Sequence, residues 1–419
     1  MTVRLVSSMP PLHYLRLACV FELFLACAAA QVDVAIAASK TVYVAGEPVF
    51  ISVRITNTST AVLTIVVPPS DSCLSAIDVA IDGLRRSDLP ACSDPSVAAC
   101  AYDGPPAQLV EIKPDTSYDM RRLMNLIYDL HRPQEYQAHI AFSLSYADQP
   151  DVEHSASFEH IDYRHFNVEK DVTFSVVEGD ASVLKAAFAP VVADLGSDDF
   201  VRHWYAQSLL LNLAPPFAED QIMAWADRAD VGQEAMAALR KLGTKRAIEK
   251  LEATAFENPN GNDHREGIRQ AALAQIEYIN DPSLLPKLFE ITAEDRGQAI
   301  RWAAATAAAK IGHADAVPVI ARMLSSPEPY IAFAGAEALA DTSSRDAVPV
   351  LISAIPSALE DNKLPAIIEA LTRLTHRTTP GDPGARVAIY RTWTAWWSVH
   401  HGDADIYDPD DCGTITKLP

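Results

Sequence analysis

Several features that mark familiar function classes are scarce in this sequence. Basic residues are short, with 34 Lys and Arg against 55 Asp and Glu, a formal net charge of −21. Such a field repels a phosphate backbone and excludes nucleic acid as the expected partner. Long apolar runs are also lacking. Beyond Ala30 nothing approaches the ~18 uninterrupted apolar residues that a membrane-spanning helix needs. There is no Gly-x-Ser-x-Gly, no His-Glu-x-x-His and no phosphate-cradling glycine loop, so no enzyme and no cofactor is expected. Cysteines number six, at spacings that match no common zinc pattern.

What is present begins with an export signal over residues 1–30. Arg4 and Arg16 flank an apolar run from Leu17 to Ala30, interrupted by Glu22. Ala28-Ala29-Ala30 supplies small residues for cleavage before Gln31. Cleavage there leaves Cys73, Cys92, Cys100 and Cys412, an even count that in an exported chain favours disulfides with three possible connectivities. Cys92 with Cys100 is the expected local pair. Cys73 with Cys412 would then tie the first domain to the tail. Phe24-Leu25-Ala26-Cys27 resembles a bacterial lipoprotein cleavage box, which implies a lipid anchor on Cys27 as the alternative end of the signal.

The length favours two or three domains, and 49% apolar residues suffice for real cores. From Val32 to about Val177 the hydrophobic period is two. Strands are expected around Val32–Ile36, Thr41–Val44, Val49–Ile55, Val62–Val67, Leu109–Ile112, Gln137–Tyr146, Ser157–Tyr163 and Val172–Val177. Short strands separated by turns predict a β-sandwich over residues 31–179. Residues 70–106, rich in Pro, Ser and Asp, read as a stapled insertion between strands. Tyr43-Val44-Ala45-Gly46-Glu47-Pro48-Val49 and Pro133-Gln134-Glu135-Tyr136 resemble the strand entry and the late turn of bacterial immunoglobulin-like domains, which implies that fold and nothing about activity.

After Glu178-Gly179-Asp180 the period becomes helical. Ser182–Leu195, Asp198–Leu213, Gln221–Arg228, Gly232–Leu242 and Thr244–Phe256 are predicted helices, the second capped by Ser197 or Asp198. A pattern then repeats: Ile268-Arg269-Gln270-Ala271-Ala272, Ile300-Arg301-Trp302-Ala303-Ala304 and Ile331-Ala332-Phe333-Ala334-Gly335, at steps of 32 and 31 residues. Each is followed by a second apolar segment carrying Pro286, Pro318 or Pro349. Two helices per period of this length mean an α-solenoid. Ile300, Ala303, Ala304, Ala307, Ala308 and Ile311 form one stripe. Val317, Ile320, Ala321 and Leu324 form the matching face of the partner helix. Leu364–Thr375 and Ala385–His400 complete about six helix pairs over 180–401, leaving 402–419 as an acidic, irregular tail.

Arg301 to Leu324, with Gly312-His313-Ala314-Asp315-Ala316-Val317-Pro318, resembles HEAT repeats of the phycobilisome-lyase type. The resemblance implies an all-α HEAT-type solenoid and a macromolecular partner. Chromophore attachment is not implied. Helical-repeat hydroxylases that resemble this array carry repeated His-Glu pairs for iron, and no such dipeptide occurs in this chain.

Four features compete as sites. His154, Glu159, His160, Asp162 and His165 form the densest ligand cluster. If 157–163 is a strand, His160 and Asp162 share a face and could bind zinc, the basis of an alternative reading as a metal-dependent hydrolase or metal-binding module. The last helix carries Trp393, Trp396 and Trp397, read as a cap on the array or as a partner surface. Trp204 and Trp302 read as core. In the tail, His400, His401, Asp403, Asp405, Asp408, Asp410 and Asp411 read as a solvated acidic segment in preference to a calcium loop. Asn57-Thr58-Ser59 is a glycosylation sequon.

The expectation is an exported, non-enzymatic scaffold, periplasmic or secreted, that binds another protein; a lipid-anchored structural envelope protein is a further alternative. The default binding surface is the one built from the second helices. Lys287, Val319 and Val350 are equivalent there, as are Glu290, Arg322 and Ser353, and no charge stripe emerges.

Overall fold

The computed structural model describes residues 32–67, 76–84, 108–147, 164–257, 263–358, 363–379, 385–402 and 416–417. The chain divides into two compact units, the change falling between Leu184 and Lys185.

The first unit is built from strands. β1 (Val32–Ala38), β3 (Phe50–Asn57) and β7 (Ser117–Leu123) make an antiparallel sheet in the order β1-β3-β7. A second sheet runs β2 (Val42–Val44), β9 (Arg164–Val177), β8 (Gln134–Ala147), β4 (Leu63–Val67) and β6 (Gln108–Ile112). β5 (Ile77–Ile81) pairs with β8 beside that path. Alternation decides what each strand buries: Ile51, Val53 and Ile55 point inward from β3 while Arg54 faces solvent. Side chains of both sheets feed one core, with Ile36 and Ile55 from the first and Ile65, Ile140, Phe142 and Phe174 from the second.

The entry motif earns its residues locally. Gly46 takes φ +86, a left-handed conformation that a Cβ would strain. The turn it makes brings the buried Glu47 carboxylate back to accept from the Val44 amide at 3.0 Å and from the Lys40 ammonium. Tyr43 and Tyr136 both pack on Phe174, edge-on at 5.8 Å and stacked at 5.5 Å.

Three expectations change in this unit. β5 lies inside the segment read as an insertion. Ile77, Val79 and Ile81 are buried against β8, a clean alternation masked by its Ser- and Pro-rich surroundings. β7 was not foreseen because it is highly charged, yet Asp119 accepts two bonds from Arg54 directly across the ladder at 2.7 and 3.1 Å. The sequon is structural. Asn57 is fully buried, donates to the carbonyls of Ala61 and Ile112 at 2.8 Å each, and accepts from Ser59. A glycan there would require that network to come apart.

The chain from Ala181 onward is helical. α1 (Ala181–Ala187) and α2 (Ala189–Asp194) replace the single helix expected over 182–195. Pro190 has no N–H to continue the first helix and instead starts the second. Pairs follow: α3 (Phe200–Leu213) with α4 (Glu219–Trp225), α5 (Gly232–Leu242) with α6 (Lys245–Ala255), and α7 (Asp263–Ile276) with α8 (Leu285–Glu294). Next come α9 (Gln298–Gly312) with α10 (Val317–Leu324), α11 (Pro329–Asp341) with α12 (Ala347–Ala354), and α13 (Lys363–Thr375) with α14 (Arg386–His400). α3 is capped one residue later than expected, at Asp199, whose carboxylate accepts from the Arg202 amide at 3.4 Å.

From α3 onward each odd helix packs on the next odd helix, so the first helices form one layer and the second helices another. From α3 onward each first helix is followed, within four residues of its end, by a residue with positive φ: Ala214, Gly243, Asn280, His313, Ser343 and His376. That turn reverses the chain for its partner helix, and it recurs through the irregular pairs as well as the regular ones. Small residues let the first helices approach. In α9, Ala304, Ala305, Ala307, Ala308 and Ala309 are all buried, because neighbours cover the helix on both sides. Gly335 of α11 is tighter still, since a Cβ there would sit 2.6 Å from the backbone nitrogen of Leu324.

Arginines tie successive pairs. Arg269, midway along α7, donates to the Ala255 carbonyl at 3.1 Å and to Asp295 at 2.7 Å, with its own side chain buried. Arg301, one repeat later, donates to the Thr292 carbonyl at 3.0 Å. Both cap carbonyls at the end of a preceding second helix, which otherwise lack partners. The tail is not wholly irregular: Thr416–Lys417 pairs in parallel with Arg377–Thr378.

Candidate functional site

The expected sites fare unevenly. Cys27, Ala30, Gln31, Cys73, Cys92, Cys100 and Cys412 lie outside the described residues, as do His154, Glu159, His160 and Asp162. His165 is described, on the solvent face of β9, where its Nδ1 meets the Ser145 hydroxyl at 3.0 Å. His139 and Asp171 pair on the same face at 2.9 Å. Ser145 and His139 are six positions apart on β8, roughly 20 Å at the usual strand rise, so these pairs cannot combine into a catalytic triad. Among the described residues no cluster of three metal-ligating side chains occurs, and no helix is long and apolar enough to cross a membrane.

The tryptophan helix splits along its own axis. Trp393 and Ile389 of α14 are buried, and the helix packs on α12 and the turn at Ile355–Ser357. Trp396 meets Trp393 edge-on at 5.5 Å and stacks on His400 at 5.1 Å. The second-helix surface is as uneven as the sequence implies. Lys287, Glu290, Arg322 and Ser353 are exposed while Val319 and Val350 are half-buried, with no aromatic among them.

A concave feature lies instead in the layer of first helices, between α3 and α5, with a volume of about 580 Å³. Its α3 wall is one helical stripe, Phe200, His203, Trp204, Gln207 and Leu211, at spacings of three and four. The opposing wall is Val231, Glu234, Ala237 and Lys241 of α5 and the turn before it. Phe200 is 77% exposed and Trp204 49%, so the sequence reading of Trp204 as core is corrected. Burying those rings against α5 would have required the small facing residues that the regular pairs supply. Trp302 is half-buried, edge-on to Tyr330 and Phe333.

Polar side chains from both walls, Glu234 among them, shape the cleft. Gln207 is only 5% exposed, yet its amide nitrogen has no hydrogen-bond partner. Lys241 donates to the Asn212 carbonyl at the end of α3, at 2.7 Å. Burial, then the neighbouring Arg240, pushes its ammonium below the usual lysine range. Arg228 holds Asp230 through two bonds, and that hydrogen bonding, more than any other cause, keeps the Asp230 carboxyl below its ordinary value. His203 donates from Nδ1 to the Leu195 carbonyl at 2.7 Å. The Asn212 amide donates to the Ser208 hydroxyl at 3.2 Å.

A family model described as HEAT repeats matches residues 260–340 and again 285–372. The helical region contains HEAT repeats. The HEAT-repeat region so matched runs from α7 into α13, and the cleft lies N-terminal to it. Among solved structures, the crystal structure of an engineered protein is 17% identical, over 44% of this chain and 93% of that one, with a TM-score of 0.28. A mutant of Salmonella alpha-2-macroglobulin is 13% identical over 83% of this chain, with a TM-score of 0.21. Trypsin activated alpha-2-macroglobulin from Escherichia coli is 10% identical over 87% of this chain, also at 0.21. This chain spans 26% and 29% of those two proteins. Scores this low assign neither fold nor function. A search of curated proteins gave no match.

Proposed function

We propose that this chain is an exported, non-enzymatic scaffold that binds another protein through a HEAT-type α-solenoid, carried behind an immunoglobulin-like sandwich. The observation that carries the reading is the HEAT-repeat match over residues 260–372, set in an array of helix pairs whose two layers continue on either side of it. HEAT repeats are typically protein-interaction modules, and stacked pairs offer long surfaces made of many side chains. The sandwich reading is supported by the shared core of the two sheets. It is supported too by the Tyr136 hydroxyl, which donates to the Arg132 carbonyl at 2.9 Å in the manner of a tyrosine corner. The export reading rests on the apolar stretch that ends at Ala30, and it makes 31–179, 180–401 and 402–419 the parts of the mature chain.

Photo-cross-linking of the full chain in an extract of exported proteins tests this. Cross-links to a partner concentrated within residues 181–400 are expected. Cross-links confined to 32–177, or none above a scrambled-surface control, would overturn it.

A further inference from the structure

One face on the layer of first helices sets aromatic rings beside carboxylates that no described residue satisfies. Trp302 of α9 meets Tyr330 and Phe333 of α11 edge-on, with centroids 5.6 and 6.2 Å apart. Tyr330 is 38% exposed and the other two rings are half-buried, so the trio is reachable from solvent. Edge-on packing leaves ring faces that no neighbouring ring covers. Glu337 stands one turn beyond Phe333 on the same side of α11. Glu369 takes the equivalent place in α13, one repeat later.

The cations of these helices are committed elsewhere. α11 carries none. On α9, Arg301 donates to the Thr292 carbonyl at 3.0 Å and Lys310 to Glu277 at 2.8 Å. On α13, Arg373 holds Asp341, and Lys363 in the first turn is not among the charges that act on Glu337. Arg373 is the one cation that does, against the acids Glu369 and Asp341. Glu337 and Glu369 have neither a hydrogen bond nor an ion pair among the described residues. A half-buried carboxylate beside a second one is relieved by an incoming positive charge.

We infer that this face of α9, α11 and α13 is the docking site for an arginine-bearing segment of the protein partner. The guanidinium stacks on the rings of Trp302, Tyr330 and Phe333 and donates to Glu337. Rings and carboxylates together select arginine over lysine. A planar cation lies on an aromatic face and still forks to a carboxylate, whereas an ammonium is a strongly hydrated point charge. The formal charge of −21 draws such a segment in from a distance. The inference rests on the protein-binding reading and adds a first-helix contact to those of the second helices.

The test measures retention of the full chain on immobilised Gly/Ser decapeptides that carry a pair of Arg, of Lys or of Glu, at about 0.15 M salt. The Arg peptide should retain the chain most strongly, the Lys peptide clearly less and the Glu peptide not at all. Glu337→Gln and Tyr330→Ala should each weaken binding to the Arg peptide about ten-fold. Glu290→Gln removes the same charge from the second-helix face and should change that binding by less than about two-fold. Glu337→Gln also separates recognition from folding, because removing a half-buried, repelled carboxylate leaves the thermal midpoint at pH 7 unchanged or raised while binding falls. Equal retention on Arg and Lys peptides, equal losses from Glu337→Gln and Glu290→Gln, or full binding by Glu337→Gln would each overturn the site. Cross-links within 181–400 with no discrimination among the peptides would sink the site and leave the scaffold reading standing. Absence of any cross-link would sink the scaffold reading itself.

Discussion

Two stretches of the helical region use the same backbone plan for opposite ends. From α7 to α12 the first helices carry alanine where they meet one another, and Gly335 lets α11 close on α10. Ala304 and Ala308 are fully buried, and a Cβ at Gly335 would sit 2.6 Å from the Leu324 nitrogen. Between α3 and α5 the plan persists, down to the left-handed residue after each first helix at Ala214 and Gly243. The side chains there are large, amphipathic and partly exposed. The result is a cleft in place of a seam. Regular repetition builds the frame, and the departure from it leaves an open cleft. Repetition alone cannot specify a partner, because equivalent positions along the second helices carry unlike residues with no continuous pattern.

That contrast can be broken from either side. The largest expected effect is in the frame. Arg269→Ala removes a buried guanidinium from the Ala255 carbonyl and from Asp295, which stays partly exposed and keeps the Gly297 amide, and should cost about 2–3 kcal/mol in denaturant unfolding. Arg301→Ala, which loses a bond to a carbonyl and no carboxylate, should cost clearly less. Gly335→Ala comes next. Alanine is the better helix former, yet its Cβ would press on the backbone at Leu324, so a loss of about 1–3 kcal/mol is expected. A gain in stability there would mean that α10 and α11 are looser than the seam described. In the cleft the same kind of change should do little to folding: Trp204→Ala should fall within about 0.5 kcal/mol of wild type. The smallest effect is electrostatic. Burial first, and the Glu369 charge second, raise the Glu337 carboxyl above its usual value. A raised folded-state value means that its contribution is fully present below the unfolded value and is lost as pH rises through the folded one. Glu337→Gln should therefore raise the thermal midpoint at pH 7 and leave it nearly unchanged at pH 4.

The legibility of the sequence follows the same division. The stripe through Ile300, Ala304, Ala308 and Ile311 could be read because helical period and residue type agree there, and all four are buried. Pro286 and Pro318 could be read because proline's missing N–H fits only the first turn, where both stand. The left-handed turns were hidden. Only Gly243 is the residue usually found there, while alanine, asparagine, histidine and serine hold the other five at a cost set by packing. In the first unit, β5 was hidden by the composition around it and β7 by its charges, whose cross-strand partner Arg54 lies 65 residues away. The cleft was hidden for a different reason. Phe200, Trp204, Gln207 and Leu211 follow a helical period, and that period reads as a core stripe unless the facing helix is known. The aromatic excess at the start of α3 was the one available signal, and an orphaned amide leaves no trace in sequence.

The most direct test maps, by mass spectrometry after cross-linking, where a captured partner touches the full chain. Cross-links concentrated within residues 181–400, among them positions near the exposed Lys287, Glu290 and Arg322, are predicted. Cross-links confined to 32–177, or none above a scrambled-surface control, would contradict the account.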